Sequence, residues 1–153
     1  MKRILLVVLA AGALLAQGDP SIGTWKLNTA KSKYSPGTAP QSVTQTVEAQ
    51  GNGAKLSNEG TAADGSRIGW TTTTNRDGKD NPISGQGAPG GADIYASKRI
   101  NPNTTETTFK KAGKVVQTTR SVVSKDGKVR TSTSKGKDAN GKPTNNVTVW
   151  EKQ

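Results

Sequence analysis

The chain has 153 residues, 30% of them hydrophobic, and 22 Lys and Arg against 11 Asp and Glu give it a formal charge of +11. It contains neither histidine nor cysteine. That removes the usual general base near neutral pH, the thiol nucleophile, every disulfide and the zinc patterns built on those residues.

Residues 1–18 read as an export signal. Lys2 and Arg3 precede the apolar run ILLVVLAAGALLA, which is short for a bilayer span. Ala16 and Gly18 put small residues where a signal peptidase reads. Cleavage after Gly18 makes Asp19 the first mature residue; cleavage after Ala16 and a retained anchor are the alternatives. No Cys follows the run, which argues against a lipid-anchored lipoprotein. Removing 18 residues leaves one domain, 19–153, of 135 residues, and losing Lys2 and Arg3 lowers the formal charge to +9. The expected location is periplasmic or secreted, with no transmembrane span after processing. In that oxidising setting the domain has no disulfide staple, and its length is enough to bury a core without one.

The mature part begins with SIGTWKLN, where Trp25 follows Gly23 by two residues on a first strand at 22–27. Residues 28–41 form a loop broken by Pro36 and Pro40. Strands are then expected near 42–49, 54–61, 67–74, 93–100, 104–110, 114–123, 128–135 and 144–151, with a short one possible around 82–86 inside the irregular stretch 81–93. Each regular run alternates with period two, the mark of a half-buried strand. Val43 and Val47 oppose Thr44 and Thr46; Thr105, Thr107 and Phe109 oppose Glu106, Thr108 and Lys110; Val129, Thr131 and Thr133 oppose Arg130, Ser132 and Ser134; Val147 and Val149 oppose Thr148 and Trp150. The alternation groups residues by face without saying which face is inside. Between the runs lie ADGS (63–66), RDGK (76–79), KDGK (125–128) and ANGK (139–142), and Asp-Gly or Asn-Gly suits two-residue hairpin turns.

The mature chain holds only 22 large apolar residues beside 20 threonines. That supply is thin for a dry two-layer core, while β-branched Thr and Val favour strands. A meander of this many strands leaves two unpaired edges unless it closes. Closure into an antiparallel up-and-down β-barrel of about eight to ten strands removes both edges. A barrel of that size encloses a cavity in place of a packed interior.

The opening GTWKLN and the closing NNVTVWEK (145–152) resemble the first and last strands of the calycins, the lipocalins and fatty-acid-binding proteins. The likeness extends to small secreted bacterial proteins of lipocalin-like layout and covers most of residues 21–152. It implies an all-β lipocalin-like barrel in which Trp25 plugs one end where first and last strands meet, with Gly23 allowing close approach. In fatty-acid-binding proteins an Arg-x-Tyr pair on the last strand grips the ligand carboxylate. Here those positions are Thr148 and Trp150, so the Arg is missing, and no helical pair replaces the loop at 28–41. Arg120 is a candidate substitute anion anchor, with a solvent-facing charge as its other reading.

The function expected from these features is non-catalytic binding of a small, partly hydrophobic molecule inside the barrel. Trp70, Tyr95 and Phe109 are the candidate ligand contacts, joined by Arg120 and Trp150. No enzyme activity, metal or cofactor is expected: Asp64, Asp77 and Asp126 belong to turns, and RDGKDN (76–81) lacks the alternate-residue spacing of a calcium loop. The alternative is an envelope protein that binds an acidic polymer or a protein partner through its basic outer surface. Nucleic acid is not expected, because no basic run flanks the scattered aromatics. The chain is expected to act as a monomer.

Overall fold

The structure is a computed structural model that describes residues 18–138 and 140–153. The expected signal segment lies outside the described residues except for Gly18.

Eleven strand segments follow one another: β1 (Gly23–Lys33), β2 (Ser42–Gln50), β3 (Gly53–Thr61), β4 (Arg67–Thr74), β5 (Asp77–Pro82), β6 (Ser84–Gln86), β7 (Ile94–Asn101), β8 (Thr104–Lys111), β9 (Lys114–Val123), β10 (Val129–Lys137) and β11 (Pro143–Lys152). They form one antiparallel sheet in the order β5-β7-β8-β9-β10-β11-β1-β2-β3-β4-β6. The first and last strands pair, with Trp25 opposite Lys152 and Leu27 opposite Trp150. The chain therefore has the all-β up-and-down barrel expected of it.

The two edges of this sheet, β5 and β6, are consecutive in the chain and separated only by Ile83. The stretch 77–86 starts beside β7, where Asn81 faces Tyr95, and ends beside β4, where Gly85 faces Trp70. One continuous strand thus changes partners halfway and carries the wall across its own seam. At the lower part of the seam the Thr72 hydroxyl donates to the Pro82 carbonyl at 2.9 Å. Gly85 makes the upper part possible: its φ is +103°, and a Cβ there would lie 2.1 Å from the Gly69 carbonyl oxygen.

Two local expectations are corrected. RDGK is not a two-residue hairpin turn at Asp77-Gly78. The chain reverses at Asn75–Arg76, where Arg76 takes φ 55° and its N–H is held by the Thr74 hydroxyl at 2.9 Å. Asp77 and Gly78 already belong to β5, a strand almost without apolar residues and mostly solvent-exposed. It has no period-two signature because it faces solvent along most of its length, and its charges suit an edge position. The loop expected at 28–41 is also shorter. β1 runs on to Lys33 through an irregularity between Asn28 and Lys33, and its pairing with β11 resumes at Lys33 opposite Val147.

The alternation resolves into an inside and an outside. On β2, β3 and β4 the inward set is largely apolar, with Val43 and Val47, Ala54 and Leu56, then Trp70, joined by the buried polar residues Asn58, Thr72 and Thr74. On β10 and β11 the order is reversed. Arg130, Ser132, Ser134 and Thr148 are buried, while Thr131, Thr133 and Val147 face solvent. Across β9 and β10 the inner hydroxyls pair with each other, Thr119 with Ser134 at 2.9 Å and Ser121 with Ser132 at 2.7 Å.

Trp25 closes one end. It is fully buried, its indole N–H donates to the Ser21 carbonyl at 2.9 Å, and the Lys152 ammonium lies 4.9 Å above its ring. Gly23, at φ +135°, turns the chain from residues 19–22 into β1 beside Lys152. Truncation of Trp25 to Ala is expected to destabilise the protein by about 3–5 kcal/mol through the cavity it leaves. A change at the outward Val147 to Thr should stay within about 0.5 kcal/mol, and urea unfolding midpoints of the two variants distinguish them.

Candidate functional site

The barrel encloses a cavity of about 270 Å³ that runs from Ser21, Arg76 and Arg99 at the Trp25 end to Tyr34, Pro40, Pro89 and Asn146 at the other. Its walls divide by chemistry. One side is built by β2, β3, β4, β7 and β8 and presents chiefly Val43, Leu56, Ile68, Trp70, Tyr95 and Phe109, with Gln45, Asn58 and Thr107 among them. The facing side, from β9, β10 and β11, presents Gln117, Thr119, Ser121, Ser132, Ser134 and Thr148 around Arg130.

Trp70, Tyr95 and Phe109 meet although they come from three strands. Tyr95 stands directly opposite Phe109 in the β7–β8 ladder. Their rings lie edge to face at 5.4 Å, and Trp70 approaches Phe109 edge-on at 6.0 Å and Tyr95 at 6.4 Å. Aromatic rings favour this geometry because a positive edge meets a negative face. Trp150 also lines the cavity, from the opposite wall, with its indole N–H on the Thr148 hydroxyl at 3.0 Å.

Arg120 stands elsewhere. It faces outward on β9, opposite Glu106 in the ladder, and its guanidinium donates to that carboxylate at 2.6 Å. Thr119 and Ser121, its neighbours in sequence, take the inward positions. Arg120 is therefore an exposed cross-strand ion pair and not an interior anchor.

The interior arginine is Arg130, which the sequence reading did not single out. Its guanidinium is sandwiched between the rings of Trp25 and Trp150, 4.9 Å from each centroid. One Nη donates to the Gln45 carbonyl oxygen at 2.7 Å, and the Gln45 amide donates in turn to Asn58 at 2.8 Å. At the two ends of this chain the Arg130 Nε–H and the Asn58 amide N–H are buried donors with no partner among the described residues. Burial lowers the Arg130 pKa to about 10, which leaves it charged at neutral pH. A signal for it exists in the sequence. A short turn at KDGK places Arg130 opposite Val123, and the closing hairpin places it opposite Trp150.

A second pair of arginines lies at the plugged end. Arg76 and Arg99 both donate to the Asp19 carboxylate, Arg99 at 2.7 Å, and Arg76 also reaches the Ser21 hydroxyl at 2.6 Å. Burial, followed by the neighbouring Arg99 charge, lowers Arg76 to about 10. Asp19 accepts from the Ser21 N–H and hydroxyl as well, so residues 19–22 form a capped turn locked across the barrel end. No described residue lining the cavity is acidic. Among the described residues no cluster of carboxylates could hold a metal, and no helix is long and apolar enough to cross a membrane.

No family model matches the sequence, and no curated protein matches it. Among solved structures the chain is similar to zebrafish ileal bile acid-binding protein complexed with cholic acid, with a TM-score of 0.53 and 11% identity over 88% of this chain and 99% of that one. The fold is thus a fatty-acid-binding-protein-like antiparallel β-barrel. The identity is low enough that the likeness concerns architecture alone.

Replacing Asp19 by Ala leaves two partly buried guanidiniums facing each other without a counter-charge. The expected cost is about 1–3 kcal/mol. Asp19→Ala combined with Arg76→Met should recover much of that loss, and thermal unfolding of the single and double variants measures the recovery.

Proposed function

We propose that the protein is an exported, non-catalytic carrier that holds a small amphipathic anion inside the barrel. The observation that supports this most directly is the composition of the cavity wall: chiefly aromatic and aliphatic on one side, hydroxyl-bearing on the other, with a buried guanidinium and no carboxylate among the described residues. An apolar body packs against Trp70, Phe109 and Tyr95 and leaves water by doing so. An acidic group at its polar end meets the Arg130 Nε–H and the Asn58 amide, the two donors with no partner among the described residues. In a low-dielectric interior, such charge-assisted bonds are stronger than neutral ones.

Arg130 suits this role because its position is held by other groups. Trp25 and Trp150 grip its two faces and Gln45 holds one edge. Little side-chain freedom is left to lose on binding. The bile acid complexed with the zebrafish protein is itself an amphipathic acid, which is compatible with the reading. The export signal puts such a carrier in the periplasm or outside the cell.

The test is titration of the processed protein with an anionic fluorescent naphthalene sulfonate and with a neutral naphthalene of similar size. Arg130→Met is expected to weaken the anion about ten- to a hundredfold, the range of one to two charge-assisted hydrogen bonds, and to leave the neutral probe nearly unchanged. Because Arg130 also stacks on Trp25 and Trp150 and donates to Gln45, the same variant is expected to lose about 1–3 kcal/mol of stability, and thermal unfolding measured beside the titration checks that it remains folded at the assay temperature. Arg120→Gln should alter neither affinity. Equal binding of the anion by the parent and Arg130→Met would remove Arg130 from the site.

A carboxylate probe extends the test to pH. Arg130, at about 10, stays charged across the neutral range, so affinity should be level there. It should fall below roughly pH 5 as the ligand's own carboxyl protonates. A decline centred near neutral pH would contradict the assignment.

A further inference from the structure

Six lysines gather on one sector of the rim at the end away from Trp25. Lys111 and Lys114 face each other across the tip of the β8–β9 hairpin. Lys135 and Lys137 end β10, and Lys142 immediately precedes β11. Lys33 ends β1 opposite Val147. β10 is bonded to β9 through Gly136 opposite Gln117 and to β11 through Lys137 opposite Pro143. The two hairpin tips therefore stand side by side at about the 5 Å spacing of neighbouring strands.

Among the described residues none of these six lysines forms an ion pair; the pairs that do form use Lys31, Arg67, Arg76, Arg99, Lys110 and Arg120. The carboxylates of the sector are occupied by turn backbone. Asp138 accepts from the N–H groups of Asn140 and Lys142 at 2.9 Å each, and Asp93 accepts from Ala112 N–H at 3.3 Å. Beside the lysines stand exposed aliphatic side chains. Val115, at 56% exposure, follows Lys114 directly, and Val147, at 36%, faces Lys33.

We propose that this rim docks the barrel mouth-first on an anionic lipid surface. Lysines attract the surface charge over about a Debye length. Val115 supplies the apolar contact that enters the headgroup layer, the combination that interfacial binders use. An acidic polysaccharide fits less well. The lysines sit at hairpin tips around an opening and follow no groove, and the exposed large hydrophobic residues are all aliphatic, so none offers a ring to stack on sugars. Docking in this orientation puts the cavity mouth, bordered by Tyr34, Pro89 and Asn146, against the source of an amphipathic ligand. That last step rests on the carrier reading; the surface contact does not.

The experiment is co-sedimentation of the processed protein with vesicles of phosphatidylcholine alone and of phosphatidylcholine mixed with phosphatidylglycerol, over a series of salt concentrations. Binding is expected only to the mixed vesicles and should weaken as salt rises. Neutralising Lys114, Lys135 and Lys137 to Gln should weaken it about a hundredfold, from about fivefold for each lysine near the surface. The same change at Lys98, Lys125 and Lys128, toward the opposite end, should leave it nearly intact. Equal binding to both vesicle types, equal losses in the two triple variants, or displacement from mixed vesicles by soluble alginate at low concentration would each overturn the proposal, the last in favour of a polymer partner. Titration of the rim variant with the naphthalene sulfonate separates the two readings. Unchanged affinity is expected there, and vesicle binding by a protein that takes up no interior probe would sink the carrier while the rim stands.

Discussion

The Trp25 indole and the Arg130 guanidinium lie 4.9 Å apart, with Trp150 on the far side of the guanidinium. This stack joins β1, β10 and β11 at the point where the barrel closes. It also sets a constraint that the rest of the interior obeys. A cation buried without a carboxylate needs rings at its faces and polar acceptors at its edges. Gln45 supplies one such edge and passes the hydrogen bond on to Asn58. The wall around this group is hydroxyl-bearing, and only the wall opposite it is free to be apolar.

That division explains how a chain with so few large apolar residues makes a stable barrel. The apolar cluster occupies one side and the Trp25 end, where Val47, Ala54, Leu56 and Val123 pack with the indole. Elsewhere, paired hydroxyls such as Ser121 with Ser132 satisfy one another, so their burial costs less than their polarity suggests. The same economy governs the seam. Two sheet edges remain in the hydrogen-bonding order, and the strand through Ile83 spans both by switching partners. At the plugged end, Asp19 neutralises two arginines that would otherwise repel each other across the opening. Three groups of cations thus stand in different environments: Arg130 stacked in the interior, Arg76 and Arg99 on Asp19 at the plug, and the rim lysines outside any ion pair among the described residues.

The sequence by itself determined most of the strands and their meander order, because period-two alternation and Asp-Gly or Asn-Gly turns act over a few residues. The role of Trp25 came from the resemblance of its Gly-x-Trp to the first strands of the calycins, and the structure buries it fully at one end of the barrel. The alternation marked Trp70, Tyr95 and Phe109 as candidates without saying which face is inside; the structure is what turns all three inward. What the alternation could not specify was which face of β9, β10 and β11 turns inward, because Ser, Thr and Val satisfy either side of a half-polar barrel. Only the ladder registers decided that. They set Arg120 outside against Glu106 and Arg130 inside between Val123 and Trp150, although both are strand arginines beside Thr in the sequence. β5 likewise escaped notice, because a solvent-facing edge strand owes its conformation to its partner β7 and not to its own side chains. Local rules acted within each strand, whereas the identity of the interior cation depended on contacts between residues more than a hundred positions apart.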